Sequence, residues 1–251
     1  MQLIKHAFAV SPGRYLVFDI WRGFAFINMA IYHFFIFASQ YHVIDSTIND
    51  GGLWKIYQKS IAGSFFLLVG ISLYLAHQSN TSIDKQAKRL AQLLLCSITV
   101  TISSIILYPS SIISFGVLHS ISACYVFCIV LQKANLARFA IPLGILFGFV
   151  FIYCKDDYFN HPFLYWLGLS TNYISAFDFQ PFIPSVAIVL IGLGMAEYAT
   201  KRGEKIFSTA GLFTTSLASI GQHTLLLYMA HVPLIIVLME ILTGVGRYTR
   251  L

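Results

Sequence analysis

Seven apolar stretches run through this chain almost end to end, at residues 15–38, 61–77, 89–108, 112–132, 139–154, 182–200 and 220–243. A helix needs about 20 residues to cross the hydrocarbon of a bilayer. In lipid every backbone N–H and C=O must be satisfied internally, which leaves helices as the form such stretches take. The sequence therefore predicts an all-α, polytopic transmembrane bundle of about seven spans. The charge content agrees. Only 10% of the 251 residues are charged and 57% are hydrophobic, whereas a soluble domain carries about 25% charged residues to meet water. The second and fifth stretches are short and are expected to extend into their flanks. Residues 206–219 are moderately apolar and read as an interfacial helix leading into the last span. The segment 156–181, with Trp166, Asn172 and Asp178, reads as an outer loop that partly dips into the membrane surface. Connections are short and there are no internal repeats, so residues 1–251 are read as one integral membrane domain.

Orientation follows from the basic residues. With the N-terminus in the cytoplasm, Lys5, Arg14, Lys85, Lys88, Arg89, Lys133, Arg138, Lys201, Arg202 and Lys205 lie inside, and Lys55, Lys59, Lys155, Arg247 and Arg250 lie outside. Ten against five favours this orientation by the positive-inside rule. The net charge of +6 thus reflects topology. These cations form no basic stripe, so nucleic acid is not expected as a partner. Lys5, His6 and Arg14 precede an apolar run without a small-residue cleavage pattern, and that run is expected to stay as a signal-anchor helix. The expected location is the plasma (inner) membrane, as a multi-pass protein.

Cys96, Cys124, Cys128 and Cys154 lie in or at the edges of apolar stretches, with no Cys-x-x-Cys pair. Their expected role is packing, since a free cysteine behaves as a small buried hydrophobe. There is no Walker loop, no dinucleotide-binding glycine fingerprint and no Gly-x-Ser-x-Gly elbow. The Gly192-Leu193-Gly194 run sits inside a span, where small residues ease helix packing. No His-Glu-x-x-His is present, and the eight-residue spacing of His223 and His231 does not give a one-turn ligand pair; no metal is expected.

Ionisable groups within hydrocarbon cost about 2.5–3.5 kcal/mol each on insertion scales, so each needs a reason. The first stretch holds Asp19, Arg22 and His33. The eleven steps from Arg22 to His33 make three helical turns with roughly 20° left over. The two therefore share a face, about 16 Å apart along the axis. Asp19 lies three residues before Arg22, within ion-pair reach. In one reading the pair merely anchors the span and His33 is a satisfied core histidine. In the other, the stripe suits a long ligand that is anionic at one end and reactive at the other, such as a pantetheine arm carrying a thioester. His119, Asp178, His223 and His231 are further polar groups in or beside apolar stretches. Each of these histidines could instead hydrogen-bond a neighbouring helix.

The motifs as a set resemble a known family. Phe18-Asp19-Ile20-Trp21-Arg22-Gly23, followed by Met29 and His33, resembles the opening of the membrane-bound heparan-α-glucosaminide N-acetyltransferase catalytic-domain family. The Arg22-to-His33 spacing is also similar to that of related membrane acyltransferases that O-acetylate cell-surface polysaccharides. Val69-Gly70-Ile71-Ser72-Leu73 and Phe115-Gly116-Val117-Leu118-His119 resemble later blocks of the family. So do Asp178-Phe179-Gln180-Pro181-Phe182-Ile183-Pro184 and Ile220-Gly221-Gln222-His223-Thr224-Leu225, the latter with Tyr228 and His231-Val232-Pro233. Gln222 stands where the family commonly has Arg, Val232 where it has Gln, and Ser185 where it has Trp. The chain is also short for the family.

The resemblance implies a transmembrane acyltransferase. It would move an acetyl (acyl) group from cytoplasmic acyl-CoA to a hydroxyl or amine of a sugar or cell-envelope glycan on the far side. Acetyl-CoA would be the donor substrate; the bilayer and a glycan or amino-sugar acceptor would be partners, and homo-oligomerisation is left open. Arg22 would contact an anionic part of the donor, because a guanidinium suits phosphate, with Asp19 and His231 placed among the donor-binding residues. His33 would be the general base, since an unperturbed imidazole titrates near neutrality, and Asp178 or His119 would orient it. Two other classes remain open at this point: a small-solute or lipid transporter, which also buries such groups, and a non-catalytic membrane partner derived from the family.

Overall fold

The computed structural model describes residues 16–45, 52–107, 109–172, 178–201 and 212–244. These form eight α-helices: α1 Leu16–Gln40, α2 Gly52–Gln78, α3 Ile83–Leu107, α4 Val117–Lys133, α5 Ala140–Tyr153, α6 Phe182–Lys201, α7 Leu212–Gln222 and α8 Thr224–Thr243. Short 3-10 turns lie at Pro109–Ser111, Ala137–Phe139, Asp157–Phe159 and Pro162–Leu167. Among the described residues the β pairing is an isolated antiparallel bridge between Gly116 and Phe179. The protein is all-helical, as its sequence predicts.

Each apolar stretch coincides with helix. Five helices, α1, α2, α3, α6 and α8, are long and apolar enough to cross a membrane. The chain turns through 119° between Val117–Lys133 and Ala137–Tyr153, and this bent pair raises the number to at most six. At 17 and 14 residues, α4 and α5 are each shorter than a full crossing. The second stretch extends into its flanks as expected, growing to Gly52–Gln78, whereas the fifth stays at Ala140–Tyr153. The last stretch is broken at His223, whose ring Nδ1 lies 2.9 Å from the Ser219 carbonyl. The described part of the expected interfacial segment is α7; residues 206–211 lie outside the described residues. So do Lys5, His6, Arg14, Arg202, Lys205, Arg247 and Arg250.

The chain divides into two compact units, residues 1–65 with 205–251 and residues 66–204. In the first, α1 and α7 touch backbone to backbone. A Cβ on Gly23 would sit 2.0 Å from the Leu217 carbonyl oxygen, and one on Gly221 would sit 1.8 Å from that of Asp19. Neither position accepts a side chain unless the helices separate. This approach brings the end of α7 onto Asp19. Phe26, Met29 and Ile61 form an apolar core beside it, with Tyr32, Tyr57, Leu227 and Tyr228 packed around them.

The second unit uses the same device. A Cβ on Gly70 would lie 1.9 Å from the Val189 carbonyl oxygen, and one on Gly192 2.3 Å from that of Leu67, so α2 and α6 pack as closely as helices can. Gly194 and Gly144 do the same between α5 and α6, against Ile141 and Ala187. This is the packing role expected for the Gly192–Gly194 run. Val186, Val189, Leu190 and Leu193 of α6 are fully buried, as are Cys124 and Cys128 of α4, and the four cysteines are unpaired. Gln132, also buried, donates from Nε2 to the Leu73 carbonyl at 3.2 Å.

Candidate active site

The first unit gathers four of the predicted site residues on α1 and α8. Arg22 Nη1 donates to Asp19 Oδ1 at 2.7 Å, the i,i+3 pair that the sequence predicts. Asp19 is buried while Arg22 keeps 28% of its side-chain surface exposed. The carboxylate has a second donor: Gln222 Nε2 lies 3.4 Å from Asp19 Oδ2, brought there by the Gly23–Gly221 crossing. A buried carboxylate held by several hydrogen bonds is a tolerable charge, where an unpaired one is not. Sequence reasoning missed Gln222 as a member of this group. The available signal was its position in the Gly221-Gln222-His223 block, where the resembling family commonly places an Arg.

Three turns along α1, His33 meets His231 of α8. His231 Nε2 lies 3.3 Å from His33 Nδ1, and the ring centroids are 4.9 Å apart. His231 Nδ1 is 2.6 Å from the Tyr228 carbonyl oxygen, and His33 Nδ1 is also 2.9 Å from that of Met29. A carbonyl can only accept, so in the neutral pair both Nδ1 atoms carry the proton. His33 Nδ1–H is then shared between the Met29 oxygen and the lone pair of His231 Nε2. Among the described residues no hydrogen bond reaches His33 Nε2, which keeps its lone pair; His33 is half-buried, whereas His231 is buried. Tyr32 packs edge-on to the His33 ring, with Trp54 stacked behind it, and Phe26 packs edge-on to His231.

His119 and Asp178 belong to the second unit, at the start of α4. Gly116 N–H donates to His119 Nδ1 at 3.3 Å, and His119 Nε2 lies 3.2 Å from Thr101 Oγ1. Thr101 Oγ1 itself donates to the Ile113 carbonyl at 2.8 Å. Because His119 Nδ1 must accept from a backbone N–H, its Nε2 carries the proton and donates to Thr101. Both ring nitrogens are committed. Asp178 Oδ2 accepts from Val117 N–H at 3.2 Å, and Gln180 N–H donates to the Phe115 carbonyl at 3.2 Å. Two side chains thus satisfy the first orphan N–H groups of α4, and a carboxylate at a helix N-terminus is favoured by the helix dipole. A Cβ on Gly116 would fall 2.9 Å from Asp178 Oδ2, which is why glycine stands there.

These blocks, in this order, match a family model described as heparan-alpha-glucosaminide N-acetyltransferase, catalytic, over residues 14–233. The chain belongs to that family. No curated protein matches it, and no solved structure does. Membership in the heparan-alpha-glucosaminide N-acetyltransferase catalytic family makes the protein a membrane acetyltransferase by type. The matched segment contains every residue just described, from Asp19 to His231, and ends midway along α8, at Pro233. Within that pattern the structure joins Asp19, Arg22 and Gln222 into one polar cluster and His33 with His231 into another.

Proposed function

We propose that the protein transfers an acetyl group from cytoplasmic acetyl-CoA to an amine or hydroxyl of a sugar on the extracytoplasmic side, and that the chain acts as one plasma-membrane domain with its N-terminus inside. The observation that carries the reading is the hydrogen-bond order of the histidine pair, which leaves His33 Nε2 basic. His33 would take the proton of the acceptor amine or hydroxyl as that atom attacks the thioester carbonyl. The new C–N or C–O bond forms, the C–S bond breaks, and the proton passes from His33 to the departing thiolate to give free CoA. His231 touches His33 and not the reacting atoms in this scheme; it is a positioning residue that fixes the His33 tautomer. Arg22 is assigned to an anionic portion of CoA, about 16 Å along α1, a distance that suits the reach of a pantetheine arm. Asp19 holds the guanidinium in place, and Gln222 braces the Asp19 carboxylate. Asp178 and His119 are assigned to shaping the Phe115–Val117 turn.

The donor assignment is tested by thermal unfolding of purified protein with acetyl-CoA. Ligand at a hundred times its Kd adds about 2.7 kcal/mol to stability. Arg22→Ala should lose that gain, Arg22→Lys should recover part of it because an ammonium lacks the planar fork, and Arg138→Ala should keep it. No stabilisation of the parent, or equal donor affinity in Arg22→Ala, would remove this reading. Sidedness is read by single-cysteine labelling from outside in a cysteine-free background. Asn160→Cys should be modified and Gln86→Cys spared; the reverse would invert the proposed arrangement of donor and acceptor.

A further inference from the structure

Tryptophan at the end of a membrane helix ordinarily turns its ring outward, into the headgroup layer, where the indole N–H meets water or a lipid oxygen. Trp54, in the first turn of α2, does the opposite. Its ring stacks on Tyr32 of α1, with centroids 5.1 Å apart and planes at 24°. Phe35 packs edge-on to it at 5.8 Å, and Tyr57 stands 5.5 Å away. Tyr57 Oη donates to Asn28 Oδ1 at 2.9 Å, which pins the start of α2 to α1. Tyr32 in turn meets the His33 ring edge-on at 5.5 Å. His33 is thus flanked by His231 of α8 and by a stack that leads through Tyr32 to Trp54.

Packing accounts for the indole ring and not for its nitrogen. Trp54 Nε1 is buried, and among the described residues it meets no acceptor. A buried indole N–H ordinarily has a partner. One without a partner costs free energy that a phenylalanine in the same stack would avoid. The nitrogen fits an oxygen brought in from outside the chain. An indole N–H only donates, so the incoming group is a hydrogen-bond acceptor, and a hydrocarbon tail has none.

We propose that Trp54 is a specificity residue for the acceptor sugar: its N–H takes a hydroxyl oxygen of the sugar ring while His33 takes the proton of the attacking amine or hydroxyl. The proposal rests on the acetyltransferase reading above. A single aromatic ring, Tyr32, stands between Trp54 and His33, and a pyranose has a similar width, so one sugar spans both. The nitrogen is covered in the stack, so the sugar draws the indole off Tyr32 and gives it a hydrogen bond in exchange. The acceptor class follows from the two ends of this arrangement. It carries the nucleophile on one side of a ring and a further hydroxyl on the other, which a simple amine or alcohol does not.

The test uses a detergent without a sugar head, acetyl-CoA as donor, and methyl β-glucosaminide, cyclohexylamine and cyclohexanol as acceptors. The cyclohexyl compounds offer the same nucleophiles on a six-membered ring with no other oxygen. Trp54→Phe keeps an aromatic ring in the stack and removes the N–H. It should lower kcat/KM for the glucosaminide about fivefold, the size of one neutral hydrogen bond, and the loss should lie in KM. The cyclohexyl acceptors, the acetyl-CoA affinity and the pH profile should stay as in the parent, whereas a merely structural role would move all acceptors together. A second readout needs no turnover. With Trp21→Phe and Trp166→Phe in place, Trp54 is the remaining tryptophan, and saturating methyl β-glucosaminide should shift its emission while cyclohexylamine does not. Equal losses for all acceptors in Trp54→Phe, or an emission indifferent to the sugar, would overturn the proposal and leave the transferase standing. Emission that answers to a short-chain phospholipid and not to the sugar would give the N–H to a lipid carbonyl and overturn it as well. A sugar-dependent shift without transfer to any acceptor would keep the sugar contact and remove the acetyltransferase reading.

Discussion

The His33–His231 pair and the His119–Asp178 cluster are each built around a histidine, and their hydrogen bonds put those histidines to opposite uses. His119 gives one ring nitrogen to a backbone N–H and the other to Thr101. Asp178 accepts from the first turn of the same helix. His119 has no ring nitrogen left over to take a proton. His33 spends one nitrogen on Met29 and His231, and keeps the other. A histidine near a motif is thus told apart by its second nitrogen: committed on both sides it holds a helix end, committed on one side it can act as a base.

The largest effect that can break this contrast is on turnover at His33. His33→Ala should fold and bind acetyl-CoA as the parent does, yet lose about 10²–10⁴-fold in transfer rate, the usual range for removing a general acid–base group. A loss below tenfold would erase the distinction. A smaller effect is expected at His231. Asn can still reach the Tyr228 carbonyl and offer His33 an acceptor, so His231→Asn should retain more activity than His231→Phe, with the loss in kcat rather than in donor affinity. If the two variants lose equally, His231 acts by bulk alone. The smallest change in rate belongs to His119. His119→Ala should cost about 0.5–2 kcal/mol of stability, the price of a lost helix cap, seen as a lower unfolding midpoint, while the rate per folded molecule stays within a few-fold of the parent. A hundredfold loss in that rate at parental stability would give His119 a catalytic part.

Much of the fold was legible because lipid leaves the chain few choices. The apolar stretches had to become helices, and the i,i+3 spacing of Asp19 and Arg22 had to place them in contact. The bend of 119° after α4 was not legible, since length and hydropathy do not say whether neighbouring apolar runs cross separately. The break at His223 was likewise hidden inside one continuous apolar run. In the site, local spacing placed Arg22 and His33 on one stripe, but no periodicity could pair residues 198 positions apart. The contact of His231 with His33 joins two helices from opposite ends of the chain. The reach of Gln222 to Asp19 depends on Gly23 and Gly221, whose missing side chains matter only once two helices are seen to cross.

The measurement that bears most directly on the central claim is the pH dependence of acetyl transfer in His33→Asn beside the parent and His119→Asn, all matched for acetyl-CoA binding. An amide keeps part of the hydrogen bonding of an imidazole but cannot take a proton. If His33 Nε2 is the base, the parent and His119→Asn should both speed up as rising pH leaves the imidazole neutral. His33→Asn should be at least a hundredfold slower and should lose that rise. If His33→Asn instead transfers acetyl groups at the parental rate with the parental pH dependence, His33 is a structural histidine and the proton is taken elsewhere.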